Sequence, residues 1–219
     1  VQVPTLVLYR VDSKPLDTAP SRDPRWKYLR PDERVRWQRF AQETSPEERD
    51  VAPKRWAVAT KIVASLHRAG VPILAGTDSP MLDIYPGYAL HDELASLVDS
   101  GFSPAEALRA ATLAPATFLG ISAEAGTVAP GKRADLVLLD ADPLRDIRNA
   151  QRIAAVVLDG RPLRRAALDS LLADSARAQG PLWPARGRLS SETSRAPVPC
   201  RRFSAPRRCL PTGTRYRQR

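Results

Sequence analysis

Asp78 is the first residue whose type and place could do chemistry. It stands in Val71-Pro-Ile-Leu-Ala-Gly-Thr-Asp-Ser-Pro80, where a short apolar run meets a turn bounded by Gly76 and Pro80. The run reads as a buried strand of the parallel kind. In α/β barrels the reacting groups gather at the C-terminal ends of strands, so a carboxylate at this point is a candidate catalytic group. The same residue type also caps turns through its side chain, and the local pattern leaves both readings open. The loop that follows, residues 79–89, carries Met81, Tyr85 and Tyr88 and would line the mouth of any site at that strand end. The chain has two histidines, His67 and His91. His67 falls in the last turn of a helical stretch, a common place for a surface histidine that favours the helix dipole.

These residues need elements to position them. Residues 54–68 read as an amphipathic helix with Trp56, Ala59, Ile62, Val63 and Leu66 on one face, ended by Ala69-Gly70. The 71–75 strand follows at once, a helix–turn–strand unit of a barrel or doubly wound sheet. Residues 3–9 read as an earlier strand, with Pro4 tolerable near its start. Between these lies an excursion, residues 10–50, with Trp26, Tyr28, Trp37 and Phe40 spaced along it. Pro31-Asp32-Glu33 and Ser45-Pro46-Glu47-Glu48 are helix-start signals within it. An excursion of this length is either a pocket wall or a surface insertion with helices of its own.

Beyond the loop, a helix starts at Leu90 and stops at Gly101, and Ser103-Pro104-Ala105-Glu106 is a near-complete capping box for the next. Ala114-Pro115-Ala116 breaks that pattern, and a short helix over 116–119 ends at Gly120. The period then changes. Residues 134–140 and 153–158 read as strands, Asp142-Pro143-Leu144 as a turn, and Asp159-Gly160 as a hairpin signal leading into Arg161-Pro162-Leu163. Residues 164–173 read as a last helix.

The chain is 219 residues long with a formal charge of +10, and the whole excess lies at one end. Residues 175–219 hold 11 Arg, no Lys and one acid, Glu192, so residues 1–174 are neutral. That tail is Arg-, Pro- and Ser-rich without periodicity and cannot bury enough apolar surface to fold alone. It reads as a disordered or out-of-frame segment; the competing reading is nucleic-acid binding through phosphate contacts. Cys200 and Cys209 both lie in it, which leaves the rest of the chain with no disulfide framework and no thiolate metal site. No apolar run has membrane-spanning length, and nothing reads as a signal peptide. The chain enters an apolar run almost at Val1, so the expectation is an N-terminus missing upstream, with a cytoplasmic location by default.

The segments fall in a familiar order. Gly76-Thr77-Asp78 is followed by Leu90-His91-Asp92-Glu93-Leu94, then by Gly101-Phe102-Ser103-Pro104-Ala105-Glu106-Ala107-Leu108 and Ala111-Thr112…Pro115-Ala116. Gly126-Thr127-Val128…Gly131-Lys132-Arg133-Ala134-Asp135-Leu136-Val137-Leu138 comes next, then Asp142-Pro143-Leu144 and Val156-Val157-Leu158-Asp159-Gly160. This set resembles the C-terminal part of the metal-dependent amidohydrolase superfamily, in its imidazolonepropionase-like and prolidase-like branch. The resemblance covers roughly residues 1–165. It implies an α/β fold: the last strands and helices of a (β/α)8 TIM barrel over residues 1–120, with the 10–50 excursion as an insertion. A share of a small composite β domain and the last helix would occupy residues 121–174.

The resemblance also implies one or two divalent metals, usually zinc, held by an HxH pair, a lysine or glutamate, two further histidines and a last-strand aspartate. That aspartate corresponds to Asp78, which would touch both the metal and its water. A metal lowers the pKa of bound water, and a carboxylate beside it can carry the proton to a leaving amine. His91, Tyr85 and Tyr88 would define the substrate pocket; for His91 and Glu93 the competing reading is an ordinary helix start. Asp135 reads as structural, an acid at a strand edge accepting backbone hydrogen bonds. No HxH is present, and a catalytic zinc needs about three protein ligands; the other ligands are missing from this chain. The expectation is therefore a fragment of a hydrolase acting on the C–N bond of a small-molecule amide, cyclic amide or dipeptide, inactive alone. The intact enzyme could form a homo-oligomer, with no membrane or nucleic-acid partner. A non-catalytic scaffold that kept only the fold is the alternative.

Overall fold

The computed structural model describes residues 1–12, 23–43, 45–79, 81 and 84–177. The tail beyond Arg177 and residues 13–22 of the insertion lie outside the described residues. Residues 1–4 and 71–77 run side by side in parallel. The Gln2 amide donates to the Pro72 carbonyl and the Leu74 amide to the Gln2 carbonyl, each at 2.9 Å, which makes a bridge between Gln2 and Ile73. Val3 lies against Gly76, where a Cβ would overlap the valine side chain. The pairing is brief, because the expected strand over residues 3–9 does not form. Residues Leu6–Asp12 are a helix, α1. A short apolar run does not separate buried strand from buried helix by periodicity, and here tertiary contacts decide. Leu6 and Val7 are buried, Arg10 is ion-paired to Asp99 at 2.6 Å, and the start of the helix meets a carboxyl from elsewhere in the chain.

Next come a 3-10 turn, Pro24–Tyr28, and the helices α2 (Pro31–Glu43) and α3 (Pro46–Arg68). The two helical stretches expected at 46 and 54 are one continuous helix through Pro53. It begins with a complete capping box, the Ser45 hydroxyl on the Glu48 amide and the Glu48 carboxylate on the Ser45 amide. Trp56, Ala59, Val63 and Leu66 face the core as the spacing predicts, whereas Ile62 is exposed. At 100° per residue Ile62 is rotated off the stripe that the other four define.

Helices α4 (Ala89–Asp99), α5 (Pro104–Ala111) and α6 (Leu113–Phe118) follow, the last beginning three residues before the expected 116. The Ser103–Glu106 capping box is complete. Leu6, Val63, Ile73, Leu94, Leu97, Phe102, Ala107 and Ala110 form the main core. Strands β1 (Leu136–Leu139), β2 (Ile153–Leu158) and β3 (Arg161–Arg164) make one antiparallel sheet in that order, and α7 (Arg165–Arg177) closes the described chain. The sheet is tied to the core by a second 3-10 turn, Ile147–Gln151, through buried Ile147 and Ala150. The fold is thus mixed helix and strand, with a small three-stranded sheet.

The glycine and lysine of the 126–138 stretch have structural reasons. Lys132 Nζ donates to the Ser122 carbonyl at 2.7 Å and to the Thr127 hydroxyl. The Asp135 carboxylate accepts the Asp159 amide at 2.7 Å, as an edge acid should. Asp159 (φ 49°) and Gly160 (φ 74°) both take the positive φ that a tight two-residue hairpin demands. Gly126 has φ 91°, and a Cβ there would lie 2.7 Å from Ala116 Cβ and 3.0 Å from Leu113 Cα. Gly131 has a similar φ of 82° but open space around it. Gly126→Ala is therefore expected to lose about 2 kcal/mol more stability than Gly131→Ala, the difference being overpacking against backbone. Equal losses in urea unfolding would show that φ alone matters at Gly126.

Candidate functional site

Asp78 ends the segment that pairs with residues 1–4. It is exposed, with φ 51°. Thr5, at the end of the neighbouring segment, has φ 47°. An aspartate tolerates this left-handed region, whereas a β-branched residue adopts it only under constraint. The strand expected over residues 71–75 is reduced to the single bridge at Ile73, and the chain leaves both bridged segments through a kink rather than along the extended direction. Beyond Asp78 the Ser79 hydroxyl donates to the Ile84 carbonyl at 3.2 Å, and Ile84 packs with Val7 and Ala89.

Tyr85, Tyr88 and His91 come together. Tyr85 is buried, with Trp37 edge-on at 5.0 Å and the Arg25 guanidinium 4.4 Å over its ring. Arg25 also binds Asp23 at 2.7 Å and Asp92 at 3.1 Å. Burial alone would lower its pKa, but the Asp23 and Asp92 carboxylates raise it. The insertion is thereby pinned to the start of α4. Tyr88 stacks on Tyr28 at 5.6 Å. Burial first, then the neighbouring Tyr28, pushes the Tyr88 phenol up to about 12, with Arg25 and Arg165 pulling the other way. Burial lowers the His91 pKa against a smaller opposite effect of Asp92. Its Nδ1 is buried with no hydrogen-bond partner among the described residues.

These three residues line a cavity of about 470 Å³, within the size range of small-molecule sites. Its other walls come from Tyr28 and Leu29 of the insertion, Ile153 and Val156 of β2, and Arg165 and Leu168 of α7. Asp78 is not among the residues that line it. The expected pocket residues are thus gathered, but not around the expected catalytic acid. Tyr28 and Leu29 make the insertion a pocket wall, one of its two expected readings. Nothing in the sequence pointed to α7 and β2, which are distant in the chain and read as an ordinary helix and strand.

Glu93 is not a pocket residue. It is fully buried, and its Oε2 accepts the Val7 amide of α1 at 2.7 Å. Burial pushes its carboxyl up to about 7, partly offset by the Val7 and Leu6 amides. His67 is stacked on Phe102 with ring centroids 3.8 Å apart, and its Nε2 lies 3.4 Å from Glu106.

Among the described residues no three His, Cys, Asp or Glu side chains cluster closely enough to hold a metal. Asp78 offers one carboxylate where zinc needs about three protein donors, so these residues do not by themselves fit the metal that the resemblance implies. The purified chain, dialysed after zinc loading, is expected to retain well under one equivalent by elemental analysis. A full equivalent would show that the donor set is larger than Asp78.

The chain belongs to the amidohydrolase family, whose profile matches residues 52–163. It is 36% identical over 129 residues to an adenine deaminase of Methylobacterium nodulans, covering 59% of this chain and 20% of the relative. It is 48% identical over 63 residues to an imidazolonepropionase of Rubrobacter xylanophilus, covering 27% of this chain and 15% of the relative. Among solved structures it is similar to bottromycin amidohydrolase, with TM-score 0.64, 27% identity, 81% of this chain and 40% of that one. A protein described as a prolidase from Bifidobacterium longum gives TM-score 0.55 and 31% identity over 79% of this chain and 39% of that one. The matches span between 15% and 20% of the length of the curated relatives. No helix among the described residues is long and apolar enough to cross a membrane.

Proposed function

We propose that this chain contributes Asp78 as the proton-shuttling acid of an amidohydrolase site that cleaves a C–N bond in a small amide, cyclic amide or dipeptide. Residues 1–120 would supply the closing part of a (β/α)8 barrel and residues 121–174 a share of a composite β domain. The observation that carries this reading is a family match over residues 52–163 in a chain whose Asp78 ends a parallel-paired segment. Water adds to the carbonyl carbon and gives a proton to the Asp78 carboxylate as the C–O bond forms. Asp78 passes that proton to the nitrogen as the C–N bond breaks, leaving an acid and an amine. The exposure of Asp78 supports the reading, since water and a substrate can reach its carboxylate. Family members generally use a divalent metal, for which zinc is the proposal here. Its remaining donors would come from outside the described residues, and no step is assigned to it.

The test is to prepare the protein from cells expressing its gene within its native genomic surroundings. N-acyl amino acids, Xaa-Pro dipeptides and cyclic amides are then assayed with wild type and Asp78→Asn. Hydrolysis by wild type that the variant loses supports the proposal. Hydrolysis indifferent to Asp78→Asn, or none by wild type, overturns it.

A further inference from the structure

We infer that Glu93 is a positioning residue: its buried carboxyl grips the backbone just after the first parallel segment and so fixes the strand-end region on which Asp78 stands. Its functional sense rests on the proposed role of Asp78, but its test does not use activity. The first amides of a helix lack partners within the helix. In α1 the acceptor comes from a residue 86 positions away, the Glu93 Oε2 on the Val7 amide at 2.7 Å. Immediately before α1, Thr5 is held at φ 47°, a conformation that a β-branched residue keeps only when its surroundings impose it. Gln2 is hydrogen-bonded to Pro72 and Leu74, and Val3 sits on Gly76. Asp78 lies two residues further, in its own kink at φ 51°. A short chain of contacts therefore runs from Glu93 through Val7, Thr5 and Val3 to Gly76 and Asp78.

Among the described residues no charged group holds the carboxyl. Its Oε1 is buried with no hydrogen-bond partner among the described residues. The elements packed against α4 carry Tyr9 and Arg10 on α1, Glu47, Glu48, Asp50, Lys54, Arg55, Lys61, His67 and Arg68 on α3, Glu106 and Arg109 on α5, and Arg148 on the 3-10 turn at Ile147–Gln151. Arg10 pairs with Asp99, His67 lies beside Glu106, and Arg148 pairs with Asp146. On α4 itself, Asp92 pairs with Arg25. None of these groups forms an ion pair with Glu93 among the described residues. Its protonation state is then set by burial and by the α1 amides, and a change in that state is felt first at Val7.

The test is an NMR titration of the full, isotope-labelled chain between pH 5 and 8.5. The Glu93 carboxyl carbon, the Leu6 and Val7 amides and the Gly76 to Asp78 amides are expected to move with one shared midpoint, separate from that of the His91 ring. Glu93→Gln is expected to remove this transition, keep the helical circular dichroism and, at pH 8.5, speed exchange of the Val7 amide roughly tenfold, as a charge-assisted hydrogen bond is replaced by a weaker neutral one. Gly76 to Asp78 amides that fail to follow the Glu93 carboxyl overturn the inference, as does a transition that persists in Glu93→Gln. Should the variant not fold, the wild-type midpoints decide alone. Failure of the amidohydrolase reading would look different: activity indifferent to Asp78→Asn with this titration intact.

Discussion

Asp78→Asn is expected to lower kcat for C–N hydrolysis roughly 10³-fold with KM within about twofold. That lies inside the range of about 10² to 10⁴ that a positioned acid–base group contributes, and an effect on kcat alone marks a group used in the transition state. The substitution is nearly isosteric, and its amide neither takes nor returns a proton near neutral pH. It also keeps the backbone, because asparagine tolerates a φ of 51° as aspartate does. Asp78 is exposed, so no cavity opens. Stability should therefore stay within about 0.5 kcal/mol of wild type. Asp78→Ala makes the contrast: it should lose activity and in addition about 1 kcal/mol, since a Cβ without a local hydrogen-bonding group is disfavoured in the left-handed region. An activity loss that tracks unfolding in both variants would reduce Asp78 to a turn residue.

Glu93→Gln is expected to gain about 3 kcal/mol on wild type between pH 4.5 and pH 8. Burial raises the Glu93 carboxyl from 4.5 to about 7 in the folded chain. Between those values the folded state holds a proton that the unfolded state has released, so stability falls as pH rises. The contribution is fully present below 4.5 and is lost as pH passes through 7. Each pKa unit corresponds to about 1.4 kcal/mol, which sets the size. Glutamine keeps an acceptor for the Val7 amide but has no charge to bury, so its curve lacks this slope. Glu106 works in the opposite sense: the Ser103 hydroxyl and amide hold it below the ordinary carboxylate range, and its contribution is lost as pH falls. Comparing wild type with Glu93→Gln cancels such effects. Urea unfolding at pH 4.5, 6, 7 and 8 provides the check, and a constant difference between the two proteins would contradict it.

Local chemistry wrote much of this structure into the chain. Ser45 announces its helix start, Ser103 its capping box and Asp159-Gly160 its hairpin, because each interaction closes within about three residues and depends on side-chain type. Strand β2 falls at the expected residues, since an apolar run between polar turns admits few alternatives. The ordered motifs from Gly76 to Gly160 also made the amidohydrolase family legible before any contact was known.

Elsewhere the sequence left choices that only long-range contacts made. Residues 3–9 read as a strand, yet Leu6–Asp12 is a helix whose Val7 amide finds its acceptor in a carboxyl 86 positions away. Glu93 itself looked like one more acid at a helix start, yet it is a buried partner of another helix. Tyr85, Tyr88 and His91 were legible as a group and the insertion as a possible wall, whereas the cavity walls from β2 and α7 were not. Asp78 was recognisable at the end of its segment from Gly76-Thr77-Asp78. Its exposure, its φ of 51° and its separation from that cavity came from the tertiary structure. Spacing along a chain fixes which residues share a turn or a face, but which faces meet depends on the backbone path between them.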